Sequence, residues 1–160
     1  MADRNPQGHS KPRRRGKGPG RISGRWFSVA AILVCLLGLW LRFPALNEKP
    51  LHNDEANQAV KFGQLLENGD YKYDPVDHHG PTLYYLTLPV AWLKGEGSLE
   101  EINEWTIRLV PLIFGVAILF LPTLARGALG KVGALVTGLL LATSPIFTYY
   151  SRYYVQEMLF

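Results

Sequence analysis

At 160 residues the chain has the length of one domain of ordinary size. Only 19% of it is charged, against about 25% in a typical soluble domain, and 48% is hydrophobic, which argues against a soluble globular protein. A single Cys excludes an internal disulfide framework and any multi-cysteine metal site.

The mean hydropathy of +0.02 averages long apolar runs against blocks of charge. The first block, residues 1–25, holds eight basic residues and one acid, and it is rich in Arg, Gly and Pro. Such a segment cannot bury enough apolar surface to fold, so a disordered basic tail is expected. Arg13–Lys17 has no interleaved aromatics, so it reads as a topology determinant near anionic lipid rather than a nucleic-acid site.

A first transmembrane helix is expected over 26–46. Its unbroken apolar part, Trp26–Leu41, gives about 24 Å of helix, and Phe43–Leu46 extend it toward the ~30 Å hydrocarbon thickness. Arg42 is expected to snorkel to the headgroups, with Trp26 and Trp40 at the interfaces. No small-x-small site follows the run, so it reads as a retained anchor rather than a cleaved signal peptide. Cys35 reads as a small packing residue.

The segment 47–105 is too long for an idle connection and carries eleven acids against four lysines. Ala56, Ala59, Val60, Gly63 and Leu66 recur at helical spacing, which predicts an amphipathic helix over about 54–67. Asn53 or Asp54 is the expected cap and Asn68-Gly69 the stop. This helix is expected to lie flat on the membrane surface. Pro81 opens a second short helix, 81–93, too short to span, with Tyr84, Tyr85 and Trp92 suited to the interface. Ser98-x-x-Glu101 reads as a capping box leading to the second span.

That second span is expected over 106–125, on the run Thr106–Leu124, and a third over 132–148, on Val132–Phe147. The connection 126–131 is short enough only for a tight hairpin and adds Arg126 and Lys131 without an acid. The Lys/Arg bias therefore places tail and hairpin in the cytoplasm and the acidic loop outside, a multi-pass plasma-membrane topology with an external site. The remainder, 149–160, begins a second external segment. It breaks off in a new apolar run at Met158-Leu159-Phe160, as expected of the N-terminal piece of a longer chain.

Three clusters carry candidate chemistry. Asp54-Glu55 begin the first surface helix, eight residues beyond Leu46. Adjacent helical positions point about 100° apart, so the two carboxylates can serve different partners. Acids at a helix start are also what capping and the macrodipole favour. Asp77-His78-His79-Gly80-Pro81 could meet a phosphate or a metal, or be a plain polar turn. Tyr149-Tyr150-Ser151-Arg152-Tyr153-Tyr154-Val155-Gln156-Glu157 returns an acid, a cation and four tyrosines to the face that carries Asp54. Interfacial anchoring explains Arg and Tyr there, whereas Glu157 among apolar residues calls for a partner.

The ordered set LHNDEA, DHHGPTLYY and SRYYVQEMLF resembles the N-terminal part of the GT-C glycosyltransferases that use a polyprenyl-phosphate sugar. These are the protein O-mannosyltransferases and lipid A aminoarabinose transferases, and more narrowly a dolichyl-phosphate-mannose mannosyltransferase-like, "flippase-associated" branch. The likeness covers about Trp26–Phe160. It implies an all-α integral membrane protein with three transmembrane helices and two interfacial helices in the first external loop. It also implies inverting transfer of a sugar from a polyprenyl-phosphate donor to an external hydroxyl. On that analogy Asp54 is the general base, Glu55 places the acceptor or a divalent ion, and Glu157 is the second acidic position. A divalent metal ion, if used, would sit on Asp54 and Glu157. His79, where relatives carry Lys, and Arg152 would contact the donor phosphate; His78, Tyr84 and Tyr153 would line the substrate. The expected partners are the polyprenyl-phosphate-linked sugar and the lipid bilayer, and no nucleic acid. A lipid-linked sugar transporter or accessory and a three-span scaffold are the competing readings.

Overall fold

The computed structural model describes residues 23–44, 46–73 and 80–159. The expectations for the basic tail, for Asp77, His78 and His79, and for Phe160 fall outside the described residues. Within them the chain is all-helical, without a strand.

Helix α1 (Gly24–Arg42) is capped by the Ser23 hydroxyl, which accepts from the Trp26 N–H. Helix α4 (Glu104–Ala117) continues through a tight 3-10 turn, Ile118–Phe120, into α5 (Leu121–Leu124). Among the described residues, Gly24–Arg42 and Glu104–Leu124 are the two helices long and apolar enough to cross a membrane. The start of α4 differs from expectation. Asn103 Oδ1 accepts from the Thr106 N–H at 3.1 Å and opens the helix there. The Glu101 carboxylate instead receives the Gly97 N–H at 2.7 Å, so Ser98 and Glu101 close a turn rather than cap a helix.

The third apolar run is broken where one continuous helix is expected. Helix α6 (Arg126–Thr143) is interrupted at Gly130, whose φ of 70° and ψ of 166° leave the helical region. It stops at Ser144, and Pro145 opens a separate α7 (Pro145–Tyr150). Pro145 has no N–H for the carbonyl of Leu141 four residues earlier. Arg42 supplies the missing donors. It is fully buried, and its guanidinium donates to Leu141 O and Ala142 O, each at 3.0 Å, and to Gly38 O at 3.0 Å. Arg42 therefore does not snorkel; it ties the end of α1 to the broken end of α6.

The same contacts set direction. Arg126 lies 5.9 Å over the Phe27 ring at one end, and Arg42 meets Ala142 at the other, so α1 and α6 run parallel. Phe43 packs edge-on against Trp105 at 5.4 Å, so α4 runs antiparallel to α1. Gly38 has no side chain to separate α1 from Leu119 and Ala142, and Gly115 likewise lets Ser151 close on α4.

Helices α2 (Asn53–Asn68) and α3 (Thr82–Lys94) sit at the Arg42–Trp105 end. Gly69, at φ 68°, ends α2 as expected. The cap is His52 rather than Asn53 or Asp54. Phe62, Leu65, Leu83, Leu88, Ile107 and Val110 form one core that packs α2 and α3 on α4. That core takes most of the apolar face of α2, whose outer face is polar at Asn53, Asp54, Asn57, Gln64 and Glu67, with Val60 also exposed. The exposed apolar stripe belongs to α3 instead, at Tyr85, Leu86, Trp92 and Leu93.

Candidate functional site

Glu55 holds the site together. It is 0% exposed and Arg108 is 2% exposed. Arg108 Nε donates to Glu55 Oε1 and Nη2 to Oε2, both at 2.9 Å, a two-point guanidinium–carboxylate pair. Oε1 also receives the Tyr154 N–H at 2.8 Å, and Oε2 the His52 N–H at 3.1 Å. Arg108 Nη1 reaches the carbonyls of Leu46 and Lys49. One carboxylate thus fastens the start of α2, the loop after α1, α4 and the segment after α7. Every oxygen lone pair is spoken for, as a buried charge requires. Arg108 carries this arrangement although its apolar surroundings in the sequence suggest only a position within a span.

Asp54, one residue earlier, points outward, with its side chain 67% exposed. Among the described residues its one basic neighbour is His52, with Nδ1 at 3.8 Å. That nitrogen also accepts the Asp54 N–H at 3.5 Å. The two acids of the motif are therefore split between a buried anchor and a free carboxylate.

Of the other predicted residues, Tyr153 and Arg152 lie beside this pair. The His52 ring lies 6.1 Å from Tyr153, which stacks on Tyr149 at 4.1 Å. Arg152 donates to the Pro44 carbonyl. The Gln156 amide pairs with both the N–H and the carbonyl of Gly80, which fixes the residue beside the His78-His79 pair against the last turn. Glu157, in the turn Gln156–Met158, is exposed and makes no ion pair among the described residues. Tyr84, expected to line the substrate, is buried in the core, with its hydroxyl donating to Gln58 Oε1. Burial and, second, Tyr71 raise its phenol well above the ordinary range. Tyr154 is buried beside it, its hydroxyl donates to Thr87 Oγ1 at 3.2 Å, and burial raises its phenol against the lowering effect of that bond.

A small cleft opens between these groups, lined by Leu46, Lys49, Arg108, Tyr149, Arg152 and Tyr153. Its interior of about 30 Å³ has room for roughly one water. Glu55 offsets the charge of Arg108, so Lys49 and Arg152 leave the cleft cationic. Lys49 was not legible as a site residue, because a lone lysine in an acidic loop carries no motif. Among the described residues no three His, Cys, Asp or Glu side chains form a metal-holding cluster. No family model matches the chain, and no curated protein or solved structure matches it either.

Proposed function

We propose that the chain belongs to a membrane glycosyltransferase of the GT-C class, transferring a sugar from a polyprenyl-phosphate donor to an acceptor hydroxyl with inversion. One observation carries this reading: three stretches far apart in sequence meet at one end of the helices. Glu55 binds Tyr154, His52 touches Tyr153 and Gly80 pairs with Gln156, so LHNDEA, Gly80 and SRYYVQE come together. The parallel course of α1 and α6 supports a third crossing by α6 and α7, despite the break at Gly130. The lysine and arginine bias then sets this end outside the plasma membrane.

The proposed chemistry needs a base for a weak nucleophile and cations for a departing phosphate. Asp54, exposed and turned away from the anchor, takes the acceptor proton as the hydroxyl oxygen attacks the anomeric carbon. The bond from that carbon to the phosphate oxygen breaks, and the electron pair leaves with the lipid phosphate. Arg152 and Lys49 stabilise that charge. His79 and Glu157 are proposed to complete the donor and acceptor sides, and Tyr153 to line the sugar. Glu55 is a positioning residue, since its oxygens are held by four protein donors.

The test is Asp54→Asn in the membrane-embedded protein, with sugar transfer and released polyprenyl phosphate both measured. The expected result is loss of transfer by at least about 10²-fold at normal expression. Retained transfer removes Asp54 as the base. Sugar-lipid moved across the membrane with its phosphate bond intact identifies a transporter instead.

A further inference from the structure

At the end of α1 and α6 away from the site, positive charge gathers around one ring. The Arg126 guanidinium lies 5.9 Å over Phe27, which is only 4% exposed. Lys131 stands at the same level. Gly38 lies against Ala142 and Val34 against Gly138, and the same offset along the two parallel helices pairs Phe27 with Lys131. On an unbroken helix, positions five apart diverge by about 140°, so Arg126 and Lys131 would face different sides. The break at Gly130 falls between them and frees both to turn toward α1. Arg25 is in the first turn of α1, two residues before the ring. No carboxylate answers these cations. Residues 23–44 and 106–156 contain no Asp or Glu, and the described acids belong to the elements at the opposite end. Arg25 and Arg126 form no ion pair among the described residues.

We infer that Arg25, Arg126 and Lys131 form a seat for the phosphate of an anionic glycerophospholipid in the cytoplasmic leaflet. A guanidinium held against a buried ring is oriented before its anion arrives, and a phosphate suits its fork of donors. Charge complementarity selects the occupant. Cations without an acid among them favour a headgroup of net negative charge over phosphatidylcholine, whose choline cancels the phosphate. Beyond the cations both helices expose apolar side chains for the acyl chains, Val29 and Leu33 on α1 and Val132 and Val136 on α6. Trp26, 69% exposed, stands beside Arg25 where an indole marks the headgroup boundary. The seat lies at the far end from Asp54 and shares with the glycosyltransferase reading only the membrane course of α1 and α6.

The test is native mass spectrometry of the chain released from nanodiscs of dioleoylphosphatidylglycerol and dioleoylphosphatidylcholine in equal amounts. The ratio of the two lipids retained on the protein is the readout, and phosphatidylglycerol is expected to be retained in preference. Arg25→Gln and Arg126→Gln change exposed side chains, where folding tolerates the exchange. Each is expected to lower the preference about fivefold, the effect of one cation at a membrane surface. Arg14→Gln removes the same charge from the basic tail and is expected to leave the preference unchanged. Equal retention of the two lipids by the parent chain overturns the seat. So does a loss in Arg14→Gln as large as that in Arg126→Gln, which identifies diffuse attraction to basic charge. Asp54→Asn is expected to keep the lipid preference whether or not sugar transfer survives, so the seat and the assigned base fail independently.

Discussion

Replacing Glu55 with Gln tests whether one buried carboxylate holds the site. The substitution keeps the shape and one acceptor oxygen but removes the charge that Arg108 faces at 2.9 Å through two nitrogens. Arg108, itself 2% exposed, is left with two carbonyls and no counter-charge. Breaking a buried pair by removing one partner costs about 3–5 kcal/mol, because the surviving charge stays desolvated. The new amide also turns a donor toward either Arg108 or the backbone N–H of Tyr154 or His52, and leaving such a donor unpaired costs about 1–3 kcal/mol within that range. For a chain of this size a loss of 3–5 kcal/mol lowers the unfolding midpoint by about 6–20 °C. Thermal unfolding in nanodiscs, followed by fluorescence, is the assay, with Asp54→Asn as the matched control. That control removes a carboxylate 67% exposed and is expected to stay within about 0.5 kcal/mol of the parent. A Glu55→Gln protein as stable as Asp54→Asn refutes the anchoring role. So does a Glu55→Gln, Arg108→Gln double variant whose loss equals the sum of the singles, since coupled partners are not additive.

Two further outcomes follow from buried polar groups. Arg42→Gln shortens the side chain that donates to Leu141 O and Ala142 O, and it is expected to lower stability by about 2–3 kcal/mol in denaturant titration; an unchanged midpoint refutes the bridging role. Burial raises the Tyr154 phenol in the folded chain, so its contribution is complete below the unfolded value near 10 and is lost as pH climbs beyond it. Stability is therefore expected to fall by about 1.4 kcal/mol per pH unit above that point on account of this group. Tyr154→Phe is expected to remove that part of the slope, and an unaltered alkaline slope counts against the assignment.

Elements with strong local signals were legible in the amino-acid sequence. The helical spacing from Ala56 to Leu66 and the stop at Gly69 match α2, and the run Thr82–Leu93 matches α3. What local signals could not show was which face of each helix a distant element covers. Alternation of apolar and polar residues does not reveal that α4 and α3 bury the inner face of α2, or that Tyr84 faces Gln58 rather than lipid. Arg42 reads as a headgroup contact because two of its three carbonyl partners, Leu141 and Ala142, lie about a hundred residues away, where the helix breaks before Pro145. The break at Gly130 was hidden by an apolar composition that continues across it. The motifs themselves were readable, but the division of labour between Asp54 and Glu55 depends on Arg108, which no short-range pattern connects to them.

That division bears on the chemistry. Two adjacent carboxylates at a helix start cannot both turn inward, since successive side chains diverge by about 100°. Glu55 occupies the inward direction, where Arg108, Tyr154 and His52 fix it, and Asp54 is held facing outward by the same constraint. Among the described residues no hydrogen bond holds the Asp54 carboxylate, so nothing there competes for the proton that Asp54, as the proposed base, would accept. The anchor also carries Tyr153 and Arg152 with it, because the Tyr154 N–H is one of its four donors. Loss of Glu55 should therefore displace the base, the cation and the aromatic platform together. Loss of Asp54 should leave all three in place and remove only the proton acceptor.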